Sequence, residues 1–176
     1  MTARLERIQR GVDGRAAGRA VCRNSGRCCR FEQYGHRLYV TGLETASFLL
    51  RVEADAVAGD RAAPIDVRHQ SEPGVSLPLL SPGHGHGHSL AEALTESPGV
   101  CPYQRDNLCT VHTIRPFGCR VFFCDGEGQP WMDALYERAH RAVRSLHRRG
   151  GLAYRFDDWR TLLAEGERAL ARATLD

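Results

Sequence analysis

The stretch that decides the reading is Gly99-Val-Cys-Pro-Tyr-Gln-Arg-Asp-Asn-Leu-Cys-Thr-Val-His-Thr-Ile-Arg-Pro-Phe-Gly-Cys-Arg-Val-Phe-Phe-Cys-Asp125, four cysteines in one short segment rich in turn formers. Upstream lies a second concentration, Val21-Cys-Arg-Asn-Ser-Gly-Arg-Cys-Cys-Arg30, whose Gly26 suits the tight turns that point several thiols inward. A lone cysteine is most simply a small apolar core residue. Seven cysteines in two turn-rich segments point instead to thiolate ligation, since deprotonated sulfur is a soft donor suited to zinc and to iron–sulfur clusters.

Composition frames that reading. With 176 residues, 42% of them hydrophobic, the chain has enough apolar material for one domain, taken as residues 1–176. Within it, 21–125 reads as the metal-binding core, interrupted by an insertion at 58–99, and 130–176 as a helical scaffold. Mean hydropathy of −0.40 and the absence of any apolar run of about 18 residues argue against a membrane span. Residues Met1 to Arg10 interleave charge with isolated apolar side chains, unlike a secretory leader, so a cytoplasmic, reducing location is expected. An odd number of cysteines in such a compartment favours metal or thiol chemistry over a disulfide framework.

Every basic side chain is arginine, and without lysine neither Schiff-base catalysis nor a Walker-type phosphate loop is open to this sequence. Arg138, Arg141, Arg144, Arg148 and Arg149 could track phosphates along a helix. A net charge of only +3 favours a solvated helix face, so nucleic acid is not the expected partner; an unidentified protein partner or substrate is, and no membrane. No Ser-His-Asp set, nucleophile elbow or spaced carboxylate pair stands out as catalytic machinery.

The expected fold class is a small α+β domain, mainly helical with short strands and long loops, its cysteine site packed against C-terminal helices. Leu5, Ile8 and Val12 predict a helix within residues 2–20, weakened by Gly11, Gly14 and Gly18. His36 to Val40 alternates like a short strand, and Thr41 with Glu44 forms a capping box for a helix carrying Leu43, Ala46, Phe48, Leu49 and Leu50. Five prolines and the run Gly83-His-Gly-His-Gly-His88 predict sparse regular structure over 58–99, and the three histidines read as a polar loop more readily than as ligands. Pro130 opens a helix that Gly150-Gly151 stops, Leu152 to Phe156 reads as a short strand, and Asp157 as the N-cap of a last helix burying Trp159, Leu162, Leu163 and Leu170.

Cys22-Arg-Asn-Ser-Gly-Arg-Cys28-Cys29 resembles the CxxCxxCC motif of the YkgJ-like cysteine cluster family, described as zinc- or iron-chelating or iron–sulfur proteins. The segments Cys101-Pro-Tyr, Cys109-Thr-Val-His112 and Arg115-Pro-Phe-Gly-Cys119-Arg120 resemble that family's second half in order and spacing. The resemblance implies a metal site formed by Cys22, Cys28, Cys29, Cys101, Cys109, Cys119 and Cys124, holding an iron–sulfur cluster of the 4Fe–4S type or, alternatively, Zn2+. Ser25 stands where the family has a cysteine, and Cys124 is one candidate for the missing donor. His112, Arg115 and Arg120 are expected around the ligands, the arginines as donors to anionic sulfur. If one metal unit is held, Cys28, Cys29, Cys101, Cys109 and Cys119 must converge despite the insertion.

Overall fold

The computed structural model describes residues 1–17, 25–58, 90–122 and 130–173, with the side chains of 55–58 left aside. The elements in chain order are α1 (Thr2–Ala16), a 3-10 turn (Arg27–Cys29), β1 (Tyr39–Thr41), α2 (Gly42–Ala58), α3 (Leu90–Glu96), β2 (Gln104–Arg105), β3 (Leu108–Cys109), α4 (Phe117–Val121), α5 (Pro130–Gly150), β4 (Phe156–Asp158) and α6 (Trp159–Ala173). The chain is therefore a mainly helical α+β domain. Its described strands form two antiparallel pairs, β1 with β4 and β2 with β3.

Two apolar clusters organise the helices. In one, Leu5, Val12 and Ala16 of α1 meet Leu135, Ala139, Val143 and Leu146 of α5, with Phe117 and Val121 of α4 between them. Those α5 positions recur at helical spacing and the helix buries them as one stripe. In the other, Phe48 and Leu49 of α2 pack with Trp159, Leu162 and Leu163 of α6, and the cysteine segments lie in this cluster. Helix α4 joins the two: Phe117 and Val121 belong to the first cluster and Cys119 packs on the second. The C-terminal scaffold is thus divided, α5 serving the first core and α6 supporting the cysteines.

The capping box closes as its spacing requires: Thr41 N donates to Glu44 Oε2 at 2.9 Å and Glu44 N to Thr41 Oγ1 at 3.3 Å. The stripe of α2 is narrower than expected, since Ala46 and Leu50 are exposed. The strand after α5 comes later than the sequence predicts, at Phe156–Asp158, where it pairs with Tyr39–Thr41. The last helix is capped by Asp158 and not by Asp157. Asp158 Oδ1 accepts from Arg160 N at 3.0 Å and Thr161 N at 3.4 Å, whereas Asp157 Oδ1 takes only the amide of Asp158. Part of the expected insertion is ordered as α3, because Arg160 on α6 donates to the carbonyls of Leu94 and Val100.

Candidate thiolate centre

Two local devices deliver the cysteines. Gly26, at φ 69°, opens the 3-10 turn that holds Cys28 and Cys29, and its carbonyl accepts from Cys29 N and from Gln104 Nε2, both at 3.0 Å. A Cβ there would stand 2.4 Å from Gln104 Nε2 and 2.9 Å from Asn107 O, so the position requires glycine on both conformation and space. The second device is the β2–β3 hairpin, whose two central residues, Asp106 and Asn107, take φ of 48° and 66°. Positive φ at both positions gives the tight two-residue reversal that matches strand twist, and Asp and Asn tolerate it better than most side chains. It returns Cys109 opposite Gln104 and so close to Cys101.

The two halves are then joined through backbone. Cys101 N donates to Cys29 O at 2.7 Å, Glu32 N to Gly99 O at 3.1 Å, and Arg30 bridges Val100 antiparallel. The Cys29 thiol lies 3.9 Å from that of Cys28, and the neighbouring thiols of Cys101 and Cys109 bear on its proton. Cys119 sits beside the same group, packed against this cluster and in the electrostatic field of Cys101, Cys28 and Cys109. All five described cysteines are unpaired. Among the described residues no group of three or more His, Cys, Asp or Glu side chains is laid out as a ready-made metal-ion site.

The electrostatics divide the thiols. Cys29 is pushed far above the ordinary range by its neighbouring thiols, Cys101 first and then Cys109 and Cys28, and by burial. Cys28 falls to about 7, chiefly through the hydrogen bond from Cys29 and in part through the charge of Arg115. Cys101 and Cys109 are lowered first by the same donor, then by amide N–H groups two residues downstream, Tyr103 for Cys101 and Val111 for Cys109. The indole N–H of Trp159 adds another donor to Cys101. Burial pushes the Cys119 thiol up. A cation at this point would offset the charge of several sulfurs, and the surrounding N–H groups favour sulfur in its anionic form.

The remaining expected site residues separate. Arg115 lowers Cys28 and Cys109 by its charge, and its Nε is buried without a partner among the described residues. Arg120 is buried at 4% exposure, but its donors go to the carbonyls of Arg115 and Thr113 and to Asp13 on α1. It braces the loop that leads into α4 instead of donating to sulfur. His112 is exposed. Ser25 is exposed too, its hydroxyl accepting from Arg27 N at 3.4 Å. Cys22, Cys124 and the histidines at 84, 86 and 88 lie outside the described residues.

Sequence reasoning placed Trp159 only in the core, and its part at Cys101 was invisible because 58 positions separate the two in the chain. A shallow cleft lined by Glu96, Cys101, Gln104 and Arg105 lies beside this edge of the centre. Compared with family models, curated proteins and solved structures, the chain matches none.

Proposed function

We propose that the chain is a cysteine-thiolate protein holding an iron–sulfur cluster through Cys28, Cys29, Cys101 and Cys109, with Cys119 as an adjoining fifth thiol, as the resemblance to the YkgJ-like family implies. The observation that carries the reading is the gathering around Cys29 of sulfurs from both cysteine segments, with N–H donors from Tyr103, Val111 and Trp159 directed at them. The orphaned Nε of Arg115 fits as well, since a buried donor without a partner is costly and anionic sulfur would satisfy it. A bound cluster would supply one-electron chemistry for redox or for modification of a partner. The protein's own residues would hold it, keep water from Cys29 and Cys101, and donate hydrogen bonds to sulfur.

A second reading, zinc in an adaptor without catalysis, is favoured by one distance. The 3.9 Å between the thiols of Cys28 and Cys29 is close to the edge of a tetrahedron built on Zn–S bonds of about 2.3 Å. Analysis of iron, acid-labile sulfide and zinc in protein purified without oxygen separates the two. Iron with sulfide and a visible absorption that bleaches on reduction supports the cluster; zinc in colourless protein supports the adaptor. Protein with neither metal, which gains none on reconstitution, would end both.

A further inference from the structure

Away from the thiols, α5 is followed by Gly151, whose φ of 61° turns the chain back along the helix. Leu152 N donates to His147 O at 3.0 Å, and the His147 ring holds the Ala153 carbonyl at 3.1 Å. This return lays Tyr154 and Phe156 beside His140. The rings follow one another at modest tilts: Tyr39 to Phe156 at 5.8 Å and 32°, Phe156 to His140 at 4.7 Å and 28°, His140 to Tyr154 at 6.2 Å and 30°. Arg144 completes the row, its guanidinium 5.2 Å from the Tyr154 ring centre. Tyr39, Tyr154 and Phe156 remain 44%, 42% and 38% exposed, so core packing does not account for them.

Charge accompanies the rings. Between Tyr136 and Asp158 the sequence has six arginines against three acidic residues, Glu137, Asp157 and Asp158. Arg155 is taken up by Asp157 and Glu165, but Arg141, Arg144 and Arg148 are exposed and make no ion pair with a described carboxylate. They recur every three or four residues along about 10 Å of α5.

We propose that this face binds single-stranded nucleic acid, bases stacking on Tyr39, Phe156 and Tyr154 and phosphates meeting Arg141, Arg144 and Arg148. The arginines by themselves read as a solvated helix face; the row of rings, brought together from β1, β4 and the α5 return, is what changes the balance. Partly exposed rings beside arginines that pair with no described carboxylate suit unstacked bases, whereas a duplex keeps its base faces covered. An acidic protein segment would engage the cations and leave the rings without a role. The proposal is independent of the thiolate reading.

The test uses the full chain and fluorescence anisotropy with labelled single-stranded RNA and DNA of roughly a dozen nucleotides, and with the matching duplex. Single strands are expected to bind more tightly than duplex, and the stronger of the two single strands names the natural class. Affinity should fall with salt, the log–log slope shrinking by about 0.7 when Arg144→Ala removes one phosphate contact. Phe156→Ala should weaken binding about 5- to 150-fold, the loss of one stacked base. Because Phe156 lies in a strand, its circular dichroism and melting are compared with the parent, and Arg144→Ala on the exposed helix serves as the variant that leaves the fold alone. No binding at low salt, equal or tighter duplex binding, or an unchanged Arg144→Ala would overturn the proposal. So would polyglutamate displacing the strand as effectively as unlabelled oligonucleotide, which would assign the face to an acidic protein.

Discussion

Glu44 Oε1 accepts the amide of Phe117 at 3.1 Å, tying the first turn of α2 to the start of α4, while its other oxygen takes the amide and the hydroxyl of Thr41. The carboxyl is buried, and its pKa is raised by that burial although the hydrogen bonds from Thr41 and Phe117 pull it down. The position of Cys119, two residues into α4 from Phe117, therefore depends on a side chain of the capping box.

Glu44→Gln should lower stability by about 1–3 kcal/mol at neutral pH, since an amide sets its NH2 against one of the donors that the carboxylate satisfies. A pH effect accompanies it. A raised folded-state pKa means the native chain holds the proton more tightly, so this group's contribution is complete below the ordinary 4.5 and is lost as pH climbs through the folded value. Urea titrations across that range should show the parent losing stability with rising pH relative to the variant. A constant difference between the two would contradict the assignment.

Gly26→Ala should cost about 1–3 kcal/mol, from the strained φ and the contact with Gln104 and the Asn107 carbonyl. The thiols of Cys28 and Cys29 should become more reactive to alkylation as the turn opens. Unchanged melting and unchanged labelling would count against the geometry.

Arg120→Met keeps much of the stem volume and removes every donor. The carbonyls of Thr113 and Arg115 and the carboxylate of Asp13 lose their shared partner, and a loss of about 2–4 kcal/mol in chemical denaturation is expected. Arg115→Met should cost less stability but reduce bound metal more, if Arg115 faces the centre and Arg120 faces away.

Asp158→Ala should destabilise the chain by about 0.5–2 kcal/mol through loss of the α6 cap, and Asp157→Ala by less. Equal effects in thermal melts would remove the distinction between the two.

Cys29→Ser is expected to lower metal per chain more than substitution of any other described cysteine, because it neighbours thiols of both cysteine segments. Cys124→Ser should lower metal and melting temperature as much as Cys119→Ser if Cys124 completes the centre. Full metal occupancy in Cys124→Ser would make it a core residue.

Much of the fold was legible because local chemistry dictates it. Thr41 with Glu44 fixed the start of α2, Pro130 and the glycine pair bounded α5, and the apolar spacing of Trp159, Leu162 and Leu163 marked α6. Asp157 was misjudged as the cap because either of two adjacent aspartates fits the pattern; both pair in the strand, and it is the carboxylate of Asp158, next to Trp159, that reaches the amides of Arg160 and Thr161. Helix α3 escaped because its seven residues bury no side chain, and the docking of Arg160 that holds it is not periodic. At the centre, residue types and turn chemistry were readable, but which arginine faces sulfur was not. Arg120 is drawn to the carbonyls of Thr113 and Arg115 and to Asp13 on α1, a partner more than a hundred positions away.

The joint between Cys29 and Cys101 also has a consequence in time. The two cysteines are 72 positions apart in the chain. At ribosomal rates of about 5–20 residues per second, Cys28 and Cys29 leave the exit tunnel roughly 4–15 s before Cys101 can follow them. For that interval the first pair of thiols has no partner strand, no Trp159 and no cover from α6. Assembly of the centre is therefore an event of the finished or nearly finished chain, and a nascent chain stalled before residue 101 should carry its thiols open to any oxidant or electrophile nearby.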